Sequence, residues 1–189
     1  EKDMLLTDFD YFFPLTSKSF IPKDHWLAEY VTILQDWLGK PLDMTACLFK
    51  ASVDGATPKA FHQRCDKQGP TLTVVQSTKG WIFGGYNPKS WHSEDKHTNT
   101  KDAFIFTLKN PNRIPPTRYF CKPSNYYQAV YNGVEHGPTF SNGWTALHAS
   151  GSGIFFPDGY IDTTGLGIVT FTGNKTGVFY TKEVEVYAV

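Results

Sequence analysis

The feature that most constrains the fold of this chain is a series of short aromatic or β-branched runs, dense from residue 71 onward. Glycine, proline and asparagine separate these runs, and such residues mark turns. Many short strands joined by frequent turns are typical of a sandwich or a barrel. We predict a mostly β (α+β) domain and, of these two architectures, a two-layer antiparallel β-sandwich. The predicted strands cover residues 44–51, 71–76, 80–85, 103–108, 117–121, 127–131, 144–148, 153–156, 167–171 and 178–189, with 71–85 forming a hairpin.

Two short helices are predicted to flank the strands. Residues 22–38 place apolar side chains at helical spacing, with Pro22 at an allowed first position and Gly39 just past the end. Residues 58–65 follow Thr57, a residue type that caps helix starts. Both helices are expected to pack on the edges or ends of the sandwich.

The domain organisation follows from where apolar residues are dense. With 189 residues and 40% hydrophobic content, the chain can bury a full core. Residues 22–189 are predicted to form one domain. Residues 1–21 are too apolar for a free tail, so they either pack on the domain or lead from upstream sequence. Residues 87–101 are polar and are predicted to form a long exposed loop.

Composition excludes several function classes. Eighteen basic residues balance eighteen acidic ones without a basic stripe, which argues against nucleic acid and anionic membranes as partners. No apolar run is long enough to cross a membrane, and no signal peptide is recognisable. Three widely spaced cysteines suit a reducing compartment. These observations predict an intracellular, cytoplasmic protein without membrane insertion.

The most informative stretch of sequence lies between residues 48 and 91. It reads LFKASVDGATPKAFHQRCDKQGPTLTVVQSTKGWIFGGYNPKSW. This run closely resembles the opening of a TLDc domain, and weaker similarity extends the resemblance to residues 40–189. It includes the turn 137–140 and the closing strand 183–187. The motif positions in this run are Asp54, Gly55, Phe61, His62, Cys65, Gly69, Pro70, Gly84, Gly85, Tyr86 and Trp91.

The resemblance implies a function as well as a fold. TLDc proteins protect cells against oxidative stress and bind the vacuolar proton-pumping ATPase, and the family brings no established catalytic site, cofactor or metal. We therefore expect a non-catalytic protein-interaction domain whose partner is the vacuolar ATPase. One family feature is missing: after Phe140 the family continues with an acidic residue, whereas this chain has Ser141-Asn142-Gly143-Trp144. No role tied to that acidic position is carried over.

Physical chemistry gives the motif positions a mainly structural role. Gly84 and Gly85 lack a Cβ, so they permit special backbone angles or close contacts, as at a strand end or bulge. Asp54-Gly55 and Gly69-Pro70 have the chemistry of turns. Phe61 is predicted to anchor the core, as is Phe83 of the following hairpin.

A thiol-based redox enzyme is one alternative that the residues leave open. His62 and Cys65 lie three residues apart on one helix face, where an imidazole could activate a thiolate or share a metal. A zinc site would need a second pair at matching spacing, which the sequence lacks. His92 and His97, near Glu94 and Asp95, are predicted to lie in a solvated loop. The run 150–153 is interpreted as a flexible turn, since it lacks the register of a nucleophile elbow.

A carbohydrate-binding sandwich is the second alternative. Flat β-sheet faces that expose aromatic side chains hold sugars by stacking, whereas most aromatic residues in β domains fill the core. The stacking candidates in this sequence are Tyr86, Trp91, Trp144 and Tyr160.

Overall fold

The computed structural model describes residues 22–189, so the predicted packing of residues 1–21 lies outside the described part. Twelve strands in that part form two six-stranded antiparallel sheets, which confirms the predicted β-sandwich. The first sheet has the order β1-β12-β2-β3-β5-β6, with β1 (Cys47–Lys50), β12 (Thr181–Ala188), β2 (Thr71–Ser77), β3 (Ile82–Asn87), β5 (Phe104–Lys109) and β6 (Thr117–Phe120). The second has the order β11-β10-β9-β8-β7-β4, with β11 (Val178–Phe179), β10 (Ser152–Ile154), β9 (Trp144–Thr145), β8 (Thr139–Phe140), β7 (Val130–Asn132) and β4 (Lys96–Thr98).

The predicted hairpin is confirmed, because β2 and β3 pair antiparallel from Thr71 opposite Asn87 to Gln76 opposite Ile82. Two other expectations are wrong. The stretch 87–101 is not simply an exposed loop, since β4 within it pairs with β7 and Trp91 is fully buried. Residues 167–171 begin as a 3-10 helix, Gly167–Val169, because Gly167 has a left-handed φ of +57° that a strand does not accommodate.

The first helix, α1 (Val31–Leu38), is shorter than predicted and lies elsewhere on the sandwich. The residues before it form turns and a 3-10 helix, Ala28–Tyr30. Their backbone hydrogen bonds span three residues instead of the four of an α-helix, for example from His25 N to Pro22 O at 2.9 Å. Gly39 ends α1 in the left-handed conformation, as expected of a C-terminal glycine. The helix covers the outer face of the first sheet instead of an edge, and Trp37 packs on Phe106 at 5.6 Å between ring centroids.

The second predicted helix is confirmed as α3 (Pro58–Cys65), and Thr57 Oγ1 accepts a hydrogen bond from Ala60 N at 3.2 Å. It packs at one end of the sandwich beside β1, where Phe61 contacts Phe49. The strand predicted at 44–51 is shortened on both sides. A 3-10 helix, Met44–Ala46, precedes β1, and a single helical turn, α2 (Ala51–Asp54), follows it.

Candidate functional site

Two aromatic motif residues, Phe61 and Trp91, meet at the end of the sandwich beside α3. The Trp91 ring lies edge-on to Phe61 at 5.3 Å and to Phe140 at 5.9 Å between centroids. Its Nε1 donates a hydrogen bond to Thr71 Oγ1 at 2.8 Å. These side chains are fully buried, so Phe61 and Trp91 join the two sheets and α3 in one core.

The imidazole of His62 links α3 to the segment between β7 and β8 through hydrogen bonds. Its Nδ1 lies 2.7 Å from Asp66 Oδ1, and its Nε2 lies 3.0 Å from the carbonyl oxygen of Gly133 and 2.9 Å from that of His136. Both ring nitrogens are therefore occupied by oxygen atoms of the protein itself. Neither nitrogen is left to activate a thiol or to bind a metal.

Cys65 lies in the core with no exposed surface. Burial raises the pKa of its thiol well above the usual range, and the neighbouring Asp66 carboxylate raises it further. Reactive cysteines need the thiolate form and access to solvent, and Cys65 has neither at neutral pH. Within residues 22–189, no three His, Cys, Asp or Glu side chains come together as metal ligands. The thiol-based redox alternative therefore has no support in this geometry.

A thiol-reactivity experiment tests the assignment of Cys65 as a core residue. Cys65 and Cys121 are buried free cysteines, and Cys47 is partly buried with a pKa raised to about 11, mainly by burial. We expect the native protein to react with a disulfide reagent only slowly at pH 7.5, and all three thiols to react at once in urea. Rapid native labelling that disappears in Cys65→Ser would contradict this expectation.

The turn residues of the motif lie where the sequence predicts turns. Gly55 follows α2 with a φ of +104°, and Gly69 precedes β2 with a φ of +82°, so both use angles that favour glycine. Asp54 orders this region, because its Oδ1 contacts Arg64 at 2.7 Å and its Oδ2 accepts the Lys50 N–H at 2.9 Å. These contacts link β1, α2 and α3.

Gly84 and Gly85 lie in the middle of β3, where close contacts on both faces require the absence of a side chain. A Cβ on Gly84 would lie 2.1 Å from the backbone oxygen of Thr73, and one on Gly85 would lie 2.5 Å from the Phe140 ring. Neither residue has a positive φ, so packing and not backbone angle explains these glycines. Tyr86, next in the strand, is half-buried against Phe104.

The aromatic residues proposed for sugar stacking are mostly in the core. Trp91, Trp144 and Tyr160 have no exposed surface, so their assignment as stacking residues is wrong. The two indole N–H groups and the Tyr160 hydroxyl are satisfied internally; Trp144 Nε1, for example, donates to the Gly84 carbonyl at 3.2 Å. Aromatic residues in a sandwich fill the space between the sheets because burial of large rings contributes most to stability.

A buried carboxylate network on β12 is the polar cluster that sequence reasoning missed. Glu185 is 1% exposed and contacts Lys50 Nζ at 2.7 Å, His25 Nε2 at 3.3 Å and the hydroxyl of Tyr187. Glu183 accepts hydrogen bonds from Ser52 N at 3.1 Å and Ser52 Oγ at 2.5 Å. The available signal was the alternation Glu183-Val184-Glu185-Val186, which places both carboxylates on the outer face of the first sheet.

A cavity of about 610 Å³ opens above this network, where α1 leaves the outer face of the first sheet uncovered. The hydrogen bonds from Ser52, Lys50 and Tyr187 satisfy the buried carboxylates. Charges of both signs line the cavity, so it has no clear preference for the charge of a ligand. The lining residues are Pro22, Asp24, His25, Trp26, Lys50, Ser52, Gln76, Lys182 and Glu183.

The outer face of the second sheet carries a separate trough of about 380 Å³. His136 and His148 form one wall, with ring centroids 4.1 Å apart, and Phe155 also lines the trough. Ser152, which the sequence placed in a flexible turn, belongs to β10 and lines this trough together with Gly153, the first residue of the predicted strand 153–156. They are in a strand because they pair with β9 and β11.

An exposed tyrosine marks a further surface beside the tip of the β2–β3 hairpin. Tyr180 is 73% exposed, and it lines a small cleft of about 100 Å³ together with Trp81 and Val178. The backbone oxygen of Tyr180 accepts a hydrogen bond from Thr78 N at 2.9 Å, so the backbone under this surface is anchored. We call Trp81, Val178 and Tyr180 the aromatic tip.

No helix in the described part of the chain has the length and apolar character needed to cross a bilayer. The fold and its sites thus define a two-sheet sandwich with a helix on one outer face and an exposed tyrosine beside a hairpin tip. The TLDc domain profile matches residues 15–189, and the chain belongs to this family.

Among curated proteins, two relatives are similar to part of the chain. The MTOR-associated protein MEAK7 of Danio rerio is 31% identical over 61 residues, which cover 32% of this chain and 14% of that protein. The protein of the same name from Xenopus laevis is 30% identical over 64 residues, with 32% and 13% covered. The chain therefore matches only a small part of the length of these relatives.

Proposed function

We propose that this domain is a non-catalytic protein-interaction module that binds subunits of the vacuolar proton-pumping ATPase and regulates the enzyme's assembly or activity. Protection against oxidative stress and a cytoplasmic location belong to the same proposal. The observation that carries it is the TLDc match over residues 15–189, because the family resemblance implies this partner. The interaction surface comes from the domain's own geometry.

The aromatic tip is the surface that we assign to the partner. Tyrosine and tryptophan are enriched among the residues that dominate binding energy at protein interfaces. Tyr180 projects beside a cleft that a partner side chain can enter, and Trp81 lines the same cleft. Since Tyr180 is 73% exposed, most of its surface becomes buried only when a partner covers it.

A binding assay tests both the partner and the surface. The purified domain is immobilised, and the separated peripheral subunits of the vacuolar ATPase are passed over it. We expect saturable binding by the wild type and a loss of about 30-fold in affinity for Tyr180→Ala, which corresponds to about 2 kcal/mol for a central aromatic residue. Because Tyr180 is exposed, the variant should retain the fold and melting temperature of the wild type.

Tyr127→Ala is the matched control for this assay. Tyr127 is 63% exposed on a 3-10 helix, Pro123–Gln128, and takes no part in the aromatic tip. We expect this variant to bind as the wild type does. A wild-type domain that binds no ATPase subunit would refute the partner, whereas equal binding by the Tyr180 and Tyr127 variants would refute only the surface.

A second candidate partner comes from the names of the relatives. The two similar proteins are called MTOR-associated, and the segment that they share with this chain covers about a third of it. The same assay with mTOR as the analyte distinguishes the candidates. Binding to mTOR that persists when no ATPase subunit binds would replace the first partner by the second.

A further inference from the structure

The trough on the second sheet is built by one row of cross-strand neighbours. Thr139 lies opposite Thr145, which lies opposite Gly153, which in turn lies opposite Val178. Residues directly opposite in adjacent strands share a face of the sheet. Small side chains in the middle of this row leave the space of about 380 Å³ above them. This volume lies within the range of small-ligand pockets.

The floor of the trough offers hydroxyl groups with unused hydrogen-bonding capacity. Thr139 Oγ1 donates to the Gly137 carbonyl at 3.1 Å and lies 2.7 Å from Thr145 Oγ1. The Thr145 hydroxyl therefore donates to Thr139 and keeps lone pairs for a ligand. Ser152 Oγ accepts the N–H of Leu147 at 3.2 Å, and its own proton has no partner among residues 22–189.

The histidine wall adds a donor without adding charge. His148 Nδ1 accepts the Ser150 N–H at 3.2 Å, so in this geometry its Nε2 carries the proton and can donate. Burial lowers the pKa of His136, and the neighbouring His148 lowers it further, so the His136 imidazole is uncharged at neutral pH. Among the described residues, no Asp, Glu, Lys or Arg side chain lines the trough. A charged ligand would find no counter-ion here.

An exposed ring completes the trough. Phe155 is 52% exposed, and its ring lies over Gly153, 3.4 Å from the position that a Cβ on this glycine would take. Because Gly153 has no side chain, the Phe155 ring approaches the sheet here, and about half of its surface stays exposed to solvent. An aromatic face beside uncharged donors and acceptors suits a ligand that has both an apolar face and several hydroxyls.

We propose that this trough binds a neutral saccharide unit, with the C–H face of the sugar ring on Phe155 and its hydroxyls on Thr145, Ser152 and His148. This site is distinct from the buried tryptophans and from the aromatic tip, and it does not depend on the proposed protein partner. A rival occupant is a neutral aromatic side chain of a peptide, which the experiment below distinguishes from a sugar.

The probes are glucose, galactose, mannose, N-acetylglucosamine and their short oligomers, with glucuronate as a charged comparison. Titrations of the isotope-labelled domain are followed by NMR, so that the amides of Ser152 and Gly153 report the site directly. We expect at least one neutral sugar to shift these amides in a saturable way. Glucuronate should bind at least tenfold more weakly than glucose, because its carboxylate finds no counter-ion in the trough.

Two variants and a control test the assignment of the site. Phe155→Ala removes the exposed ring, and Thr145→Val replaces the free acceptor by a methyl group, so each should lower the affinity at least tenfold. Tyr127→Ala should leave it unchanged. If Thr145→Val proves unstable, the exposed Phe155 still provides the test. The proposal is overturned if no neutral sugar shifts these amides, if Phe155→Ala binds as the wild type, or if only N-acetyltyrosine amide occupies the trough.

Discussion

Gly84→Ala is expected to destabilise the domain by more than about 3 kcal/mol, enough to unfold much of a marginally stable protein. The new Cβ would lie 2.1 Å from the backbone oxygen of Thr73 and 2.5 Å from the Phe106 ring. The ring could turn, but the Thr73 oxygen belongs to β2, which is held by ladders to β3 and β12. Relief would require moving a central strand. Urea denaturation followed by circular dichroism measures the loss.

Gly153→Ala is the matched control, because Gly153 is also a strand glycine without a positive φ. Its Cβ would meet only the Phe155 side chain, at 3.4 Å, which is ordinary van der Waals contact. We expect its free energy of unfolding to change by less than about 1 kcal/mol. A Gly84→Ala protein as stable as the Gly153→Ala protein would show that β2 and β3 do not approach as described.

Trp91→Ala is expected to lower the free energy of unfolding by about 3 to 5 kcal/mol. The side chain is fully buried and touches Phe61 of α3 and Phe140 of β8, so its removal leaves a cavity where the helix and both sheets meet. It also leaves the Thr71 hydroxyl without its indole donor. The same denaturation experiment measures this loss, and hydrogen exchange should show α3 becoming less protected.

Trp91→Phe separates the two contributions of the indole. It keeps an aromatic ring in the core but removes the N–H that reaches Thr71, so we expect a smaller loss of about 1 to 3 kcal/mol. If Trp91→Ala cost no more than an exposed substitution such as Tyr127→Ala, Trp91 would not be part of the core.

The local part of the fold could be predicted from the sequence because its signals lie within a few residues. The β2–β3 hairpin follows from two β-rich runs around one turn, and α3 from Thr57 and Pro58 at its start. The predicted start of α1 was wrong because apolar residues keep their helical spacing through residues 26–30, although the backbone there forms turns and a 3-10 helix. Propensity does not distinguish these conformations once the outer sheet face is available for packing.

Burial and convergence depend on contacts between distant residues. The polar or turn-rich sequence around Trp91 and Trp144 favours a surface position for both side chains. Both rings nevertheless lie buried between the sheets. Lys50 and Glu185 are 135 residues apart in sequence and meet because β1 pairs with β12. His136 and His148 meet because the connections flanking β8 and β9 bring them together.

The sequence by itself determined the class of fold, the hairpin, the α3 cap and the family, since alternation, turn residues and one dense motif run are local signals. Only the tertiary structure decided which aromatic rings are exposed, that α1 covers a sheet face, and where the carboxylate network and the trough lie. The physical reason is that strand pairing in this sandwich joins residues far apart in the chain. Side-chain burial follows from that pairing and not from neighbours in sequence.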